Sequence, residues 1–320
     1  MTQLLVLKER LIKFYARLEI YILPLLKFVT ALIVLLIING NLGYMYRLKN
    51  PAIVIMAALA CSFLPSNMII IVAAAYVILH LYALSLECAI VVLLVFVLMF
   101  VLYFRFSPKD SMAVLLTPIC FALRIPYVMP LTMGFIGNPM SVVSVGSGTV
   151  VYYMLKYIKD NETQLGNLEA DSAAANFKYV VDNIMNNKEM VLMAVAFGIT
   201  IVLVYLVKRL SIDHSWRIAL GVGAISNIMV IFIGDLSLDI DANLGATILG
   251  SIVSVLFVIV LQFFVFNVDY SRTEYVQFED DEYYYYVKAI PKISVTTPAV
   301  KVKRINPQRG NERRTMGDTD

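Results

Sequence analysis

Arg124 is followed at short spacing by Pro126 and Pro130 inside an apolar stretch, SMAVLLTPICFALRIPYVMPLTMGFIGNP, that runs from Ser111 to Pro139. Proline removes a backbone donor and clashes with the preceding turn, so a helix here breaks between Ile125 and Pro130. A guanidinium forms bidentate bonds to phosphate or carboxylate. Beside a broken helix in hydrocarbon it is costly unless it faces protein or a water-filled cavity. The expected chemistry is therefore anion binding near a bilayer midplane. A second break, Phe63-Leu64-Pro65-Ser66-Asn67, adds neutral hydrogen-bonding groups, and Asn138 supplies another amide. The expected substrate-binding set is Arg124, Pro126, Pro130, Asn138, Pro65, Ser66 and Asn67. The plainer alternative is that Arg124 caps carbonyls freed at its break and the others cap helix ends.

Other chemistry is hard to assemble from these residues. There is no HExxH motif and no phosphate-cradling loop, so nucleotide-driven work would need a separate subunit. Gly146-Ser147-Gly148 lacks the neighbouring base that a serine nucleophile requires. His80 and His214 share no metal-ligand spacing with cysteines or carboxylates, and Cys61, Cys88 and Cys120 sit in apolar runs as small hydrophobes. The chain is expected to be no enzyme, with no catalytic residue, no metal and no cofactor. No nucleic-acid-binding motif accompanies the basic C-terminal end.

The elements that must position these residues follow from composition. The 320 residues are 60% hydrophobic and 15% charged, with mean hydropathy +0.79 and net charge +3. Such values define a polytopic membrane class. The expected fold is all-α, with about six transmembrane helices and two opposed re-entrant or broken helical hairpins, followed by a small cytoplasmic β-hairpin. Residues 1–19 carry Leu4, Leu7, Leu11, Phe14 and Leu18 on one helical face and read as an interfacial amphipathic helix. Residues 20–267 form the transmembrane domain, with spans near 20–40, 88–104, 140–157, 190–207, 215–234 and 245–267. Irregular segments at 51–84 and 111–138 interrupt the series. Lys27, early in the first span, is explained by snorkelling. Ser144, Gly146, Ser147 and Gly148 are expected to let helices approach closely.

Charge sets the orientation. If both irregular segments return to the side they entered from, eighteen lysines and arginines share one side with both termini. Only Arg47, Lys49, Lys159, Lys178 and Lys188 fall opposite. Both termini are then cytoplasmic, in a multi-pass protein of the cell membrane. The two hairpins, each followed by a span and oppositely oriented, match the inverted repeats of transporters, and their tips would meet near the midplane.

The run LRIPYVMPLTMGFIGNPMSVVSVGSG resembles the second re-entrant segment of the DedA/VTT membrane proteins. The matching positions are Arg124, Pro126, Pro130, Gly134 and Gly137, and the resemblance covers roughly residues 50–160. It implies paired opposing hairpins and translocation of a lipid or lipid carrier. FLPSNM carries no carboxylate where the family has an acidic residue, and Met129 stands where it has a second arginine. The resemblance therefore does not extend to proton coupling.

Residues 268–299 read as a tail built on a β-hairpin, TEYVQFE and EYYYYVKA around Asp280–Asp281. The block QFEDDEYYYYVKAIPK resembles segments of uncharacterised bacterial polytopic membrane proteins. Two strands alone are marginal in water, so residues 273–289 are expected to pair with a cytoplasmic protein or a second copy. Residues 300–320 are polar and basic and expected to be disordered. The function expected is a membrane transporter or lipid translocase with an anionic lipid or lipid-carrier substrate. The alternatives are a non-transporting scaffold that recruits a partner through the Tyr-rich tail, and the permease subunit of an ATP-driven system.

Overall fold

A computed structural model describes residues 2–166, 173–240, 243–265, 274–279 and 282–289. The chain forms two compact units, Lys13–Phe266 and Met1–Ile12 with Asn267–Asp320.

In the second of these, β1 (Glu274–Glu279) pairs antiparallel with β2 (Tyr284–Ala289), Glu279 opposite Tyr284. This is the hairpin expected from the run of strand formers. The Asp280–Asp281 turn and residues 300–320 lie outside the described residues.

The larger unit is all-α. Six helices among the described residues are long and apolar enough to cross a membrane: α1 (Thr2–Asn41, from Val6), α3 (Ser66–Leu84), α4 (Leu86–Phe106), α10 (Lys188–Lys208), α11 (Ser215–Leu238) and α12 (Leu244–Val265). They are not quite the six expected. The irregular segment 51–84 resolves into a short α2 (Pro51–Phe63) and a full-length α3, whereas α7 (Ser141–Asp160) is a long helix diluted by serine and glycine. The amphipathic start does not form a separate helix. Its residues continue without interruption into the first span as the 40-residue α1, with Pro24 inside it. At 1.5 Å per residue α1 extends about 60 Å.

The apolar surface faces outward. Leu36, Leu98, Val101, Leu249 and Leu256 are exposed, while Ser144, Thr200, Asn227, Ser251 and Ser254 are buried. A bundle with hydrocarbon outside and hydroxyls inside is built for a solvent of lipid tails.

Two breaks shape the bundle. The first falls at Leu64–Pro65 between α2 and α3. The second separates α5 (Ser111–Ala122) from α6 (Val128–Ile136). Glycines set the tightest contacts around the second. A Cβ on Gly148 of α7 would lie 2.6 Å from Thr117 Cβ and 2.9 Å from the Val114 carbonyl of α5. One on Gly223 of α11 would lie 2.2 Å from Val204 of α10. The 20 residues of α7 owe their close seat on α5 to Gly148 and not to Gly146, which has open space around it.

Between α7 and α10, α9 (Ala173–Met185) buries Val180 and Ile184 and packs on α4. A five-residue α8 (Glu162–Gly166) precedes it.

Candidate functional site

The second hairpin leaves and returns to one end of the bundle. At its mouth the Ser141 hydroxyl donates to Asp110 Oδ2 at 2.6 Å, and Ser107 and Ser144 hydroxyls stand 2.7 Å apart. At the close of α6, Lys208 Nζ donates to the Phe135 carbonyl at 2.7 Å and reaches the Gly137 carbonyl at 3.4 Å. These are carbonyls a helix end leaves without partners. The mouth is therefore stitched to α7 and α10.

The first hairpin, α2–α3, has its break beside α1 and α4. The loop that leads into it sits at the C-terminal end of α1, where Asn39 Nδ2 donates to the Leu48 carbonyl and the Tyr76 hydroxyl bonds the same oxygen. At its break, Lys27 Nζ donates to the Leu64 carbonyl at 3.1 Å and Ser62 Oγ to the Pro24 carbonyl at 2.9 Å. Lys27 thus acts as a cap on the broken helix, a role that snorkelling did not anticipate. The Tyr103 hydroxyl then links the two hairpins: it donates to Asn67 Oδ1 at 2.9 Å and lies 3.0 Å from the Pro108 carbonyl, just ahead of α5.

This geometry sorts the seven expected residues. Asn67 and Asn138 come to the Asp110 end, where the Asn138 N–H donates to Ser141 Oγ at 3.2 Å. Pro65 is exposed and Ser66 half-buried at the first break. Arg124, Pro126 and Pro130 stand at the far end of α5, whose twelve residues rise about 18 Å. The two tips are thus separated by the length of α5, not gathered at one point. Pro126 and Pro130 are buried in packing, next to Tyr127, whose hydroxyl donates to Thr247 Oγ1 at 3.1 Å on α12.

Arg124 itself is exposed and its backbone is left-handed, φ 60°. Its side chain has no hydrogen-bond or ion-pair partner among the described residues, so it caps nothing at its own break. A side chain with a Cβ in this region carries a strain of about 1–2 kcal/mol. The tip is anchored beneath it by aromatic packing: the Phe121 ring stacks on Tyr152 at 4.4 Å and lies 5.8 Å from Phe197.

Between the two levels lies an apolar cavity of about 80 Å³ bounded by α1, α3, α4, α5 and α7. A further buried polar layer packs where α6, α10, α11 and α12 meet. Thr200 Oγ1 stands 3.4 Å from the Asn227 amide, and one end of that amide has no partner, like the hydroxyls of Thr132 and Ser251. Sequence reasoning passed over Asn227, Lys208 and Tyr103. The only amide of α11, in the middle of that span beside Ser226, was the legible signal for the first; the other two are ordinary residues at span ends.

Among the described residues no group of three or more His, Cys, Asp and Glu side chains is placed to hold a metal. The fold and its inverted polarity define a polytopic helical membrane class. No family model, characterised protein or solved structure matches the chain.

Proposed function

We propose that the chain is an integral membrane transporter or translocase for a lipid or lipid carrier with an anionic head group, and that Arg124 receives that head group. The observation that carries this reading is Arg124 itself: exposed, unpartnered, and held on a left-handed turn at a hairpin tip about 18 Å from the hairpin mouth. A guanidinium at the centre of a bilayer costs at least about 2.5–3.5 kcal/mol, and phosphate or carboxylate oxygens would offset that cost. In this reading both termini and the Asp110 end are cytoplasmic. The hairpin α5–α6 is re-entrant from that side, and α2–α3 enters from the opposite side. Hairpin plus helix then occurs twice in opposite orientation, the plan of an inverted repeat. The concentration of lysine and arginine on the Asp110 side supports the orientation.

The test is flux of head-group-labelled anionic and zwitterionic lipids in proteoliposomes. Arg124→Ala is expected to lower anionic-lipid flux about tenfold or more, the loss of a charge-assisted bond worth about 1.5–3 kcal/mol. Unchanged flux of every anionic lipid and solute tried removes Arg124 from the mechanism.

A second reading, a membrane scaffold, draws on β2, where Tyr284 and Tyr286 are 69% and 76% exposed. Such a strand suits addition of a partner strand or a second copy. Deleting residues 268–320 separates the two, because a scaffold loses all function and a transporter keeps basal flux.

A further inference from the structure

We propose that the cavity bounded by α1, α3, α4, α5 and α7 is a hydrocarbon site that holds the end of one acyl chain of a membrane lipid. The inference rests on the membrane reading above and deepens its substrate class.

The void has a local cause on each wall. Ala73 and Ala74 of α3 and Ser147 of α7 are small, and Pro118 interrupts the ladder of α5 where that helix faces them. Phe96 of α4 and Val151 of α7 complete an apolar lining. Only Tyr103 and Ser147 bring hydroxyls, and that of Tyr103 is engaged by Asn67 and Pro108. Water needs two to four polar partners to occupy a cavity, so this one excludes it. At about 80 Å³ the space is roughly half of a cavity of ~150 Å³ that takes benzene, enough for a few methylenes and too small for a whole lipid.

The way in lies along α1. Ile33 and Leu36 face outward, Leu35 and Ile38 are buried, and the half-buried Val34 and Ile37 stand between the cavity and that outer face. A bilayer presents acyl chains to this seam at the highest concentration of any apolar species. A chain that enters there runs beside α5, whose far end carries Arg124. Chain and head group of one amphiphile would thus be addressed by the two ends of a single helix.

The experiment uses the full chain in nanodiscs made with a phospholipid whose acyl terminus carries a diazirine, with labelled peptides mapped after illumination. Labelling is expected on Ala74, Val77, Val114 and Pro118 as well as on the outward Leu98 and Val101. Ala74→Phe on α3, or Ser147→Leu on α7, should reduce the first group about tenfold, the loss of roughly 1.4 kcal/mol of contact, and leave Leu98 and Val101 unchanged. Absence of cavity labelling in the parent protein overturns the proposal, as does undiminished labelling in whichever filled variant folds. Labelling without flux of any lipid keeps the hydrocarbon site and removes the translocase; flux without cavity labelling does the reverse.

Discussion

The Ser141 hydroxyl donates to the Asp110 carboxylate across 2.6 Å and closes the mouth of the α5–α6 hairpin. Thirty-one residues separate the two in sequence, and the whole excursion to the Arg124 tip lies between them. Ser141 is fully buried, and the bond gives its hydroxyl proton the acceptor that a buried donor needs.

Ser141→Ala should therefore destabilise the hairpin by about 1.5–3 kcal/mol, the range for hydrogen bonds to charged groups. Thermal unfolding in detergent measures it. A melting temperature equal to the parent's would show that the mouth is held by other contacts.

The cap at the other foot of the hairpin gives a separate expectation. Lys208→Met keeps the stem of the side chain but removes the ammonium that donates to the Phe135 and Gly137 carbonyls. A hydrogen bond from a charged group contributes about 1.5–3 kcal/mol, and proteolysis near Gly137 should accelerate accordingly.

Gly148 and Gly146 sit two residues apart on one helix and should respond oppositely. Gly148→Val forces a Cβ to within 2.6 Å of Thr117 and should cost about 1–3 kcal/mol by overpacking. Gly146→Ala meets open space and should gain up to about 1 kcal/mol from helix propensity. Equal effects of the two would mean that α5 does not sit on α7 as described.

Arg124→Gly separates strain from function. Glycine adopts φ 60° freely, so the variant should be more stable by about 1–2 kcal/mol while losing anionic-lipid flux. A variant that is both stabler and fully active would place Arg124 outside the transport cycle.

Membrane sidedness can be read with single cysteines in a background free of Cys61, Cys88 and Cys120. Tyr46→Cys and Asn161→Cys should react with an impermeant maleimide from outside the cell, and Lys109→Cys and His214→Cys only after permeabilisation. Reaction of Tyr46→Cys and Lys109→Cys from the same side would remove the opposed-hairpin topology.

The sequence by itself determined the helical, lipid-facing character of the chain, both helix breaks and the terminal β-hairpin. Hydropathy, the missing N–H of Pro65 and Pro126, and the strand preference of Tyr284–Val287 all act within a turn or two of their own position. Tertiary structure alone decided what those breaks do. Lys27 reaches a carbonyl 37 residues away and Lys208 one 73 residues away, while Arg124, the residue best suited by type to cap a break, turns outward. It also decided that the two tips lie a helix apart, that Gly148 rather than Gly146 is the close contact, and that a void remains beside Pro118. The reason is physical: each depends on how several helices fit together at once, and packing couples residues through space with no trace in their spacing along the chain.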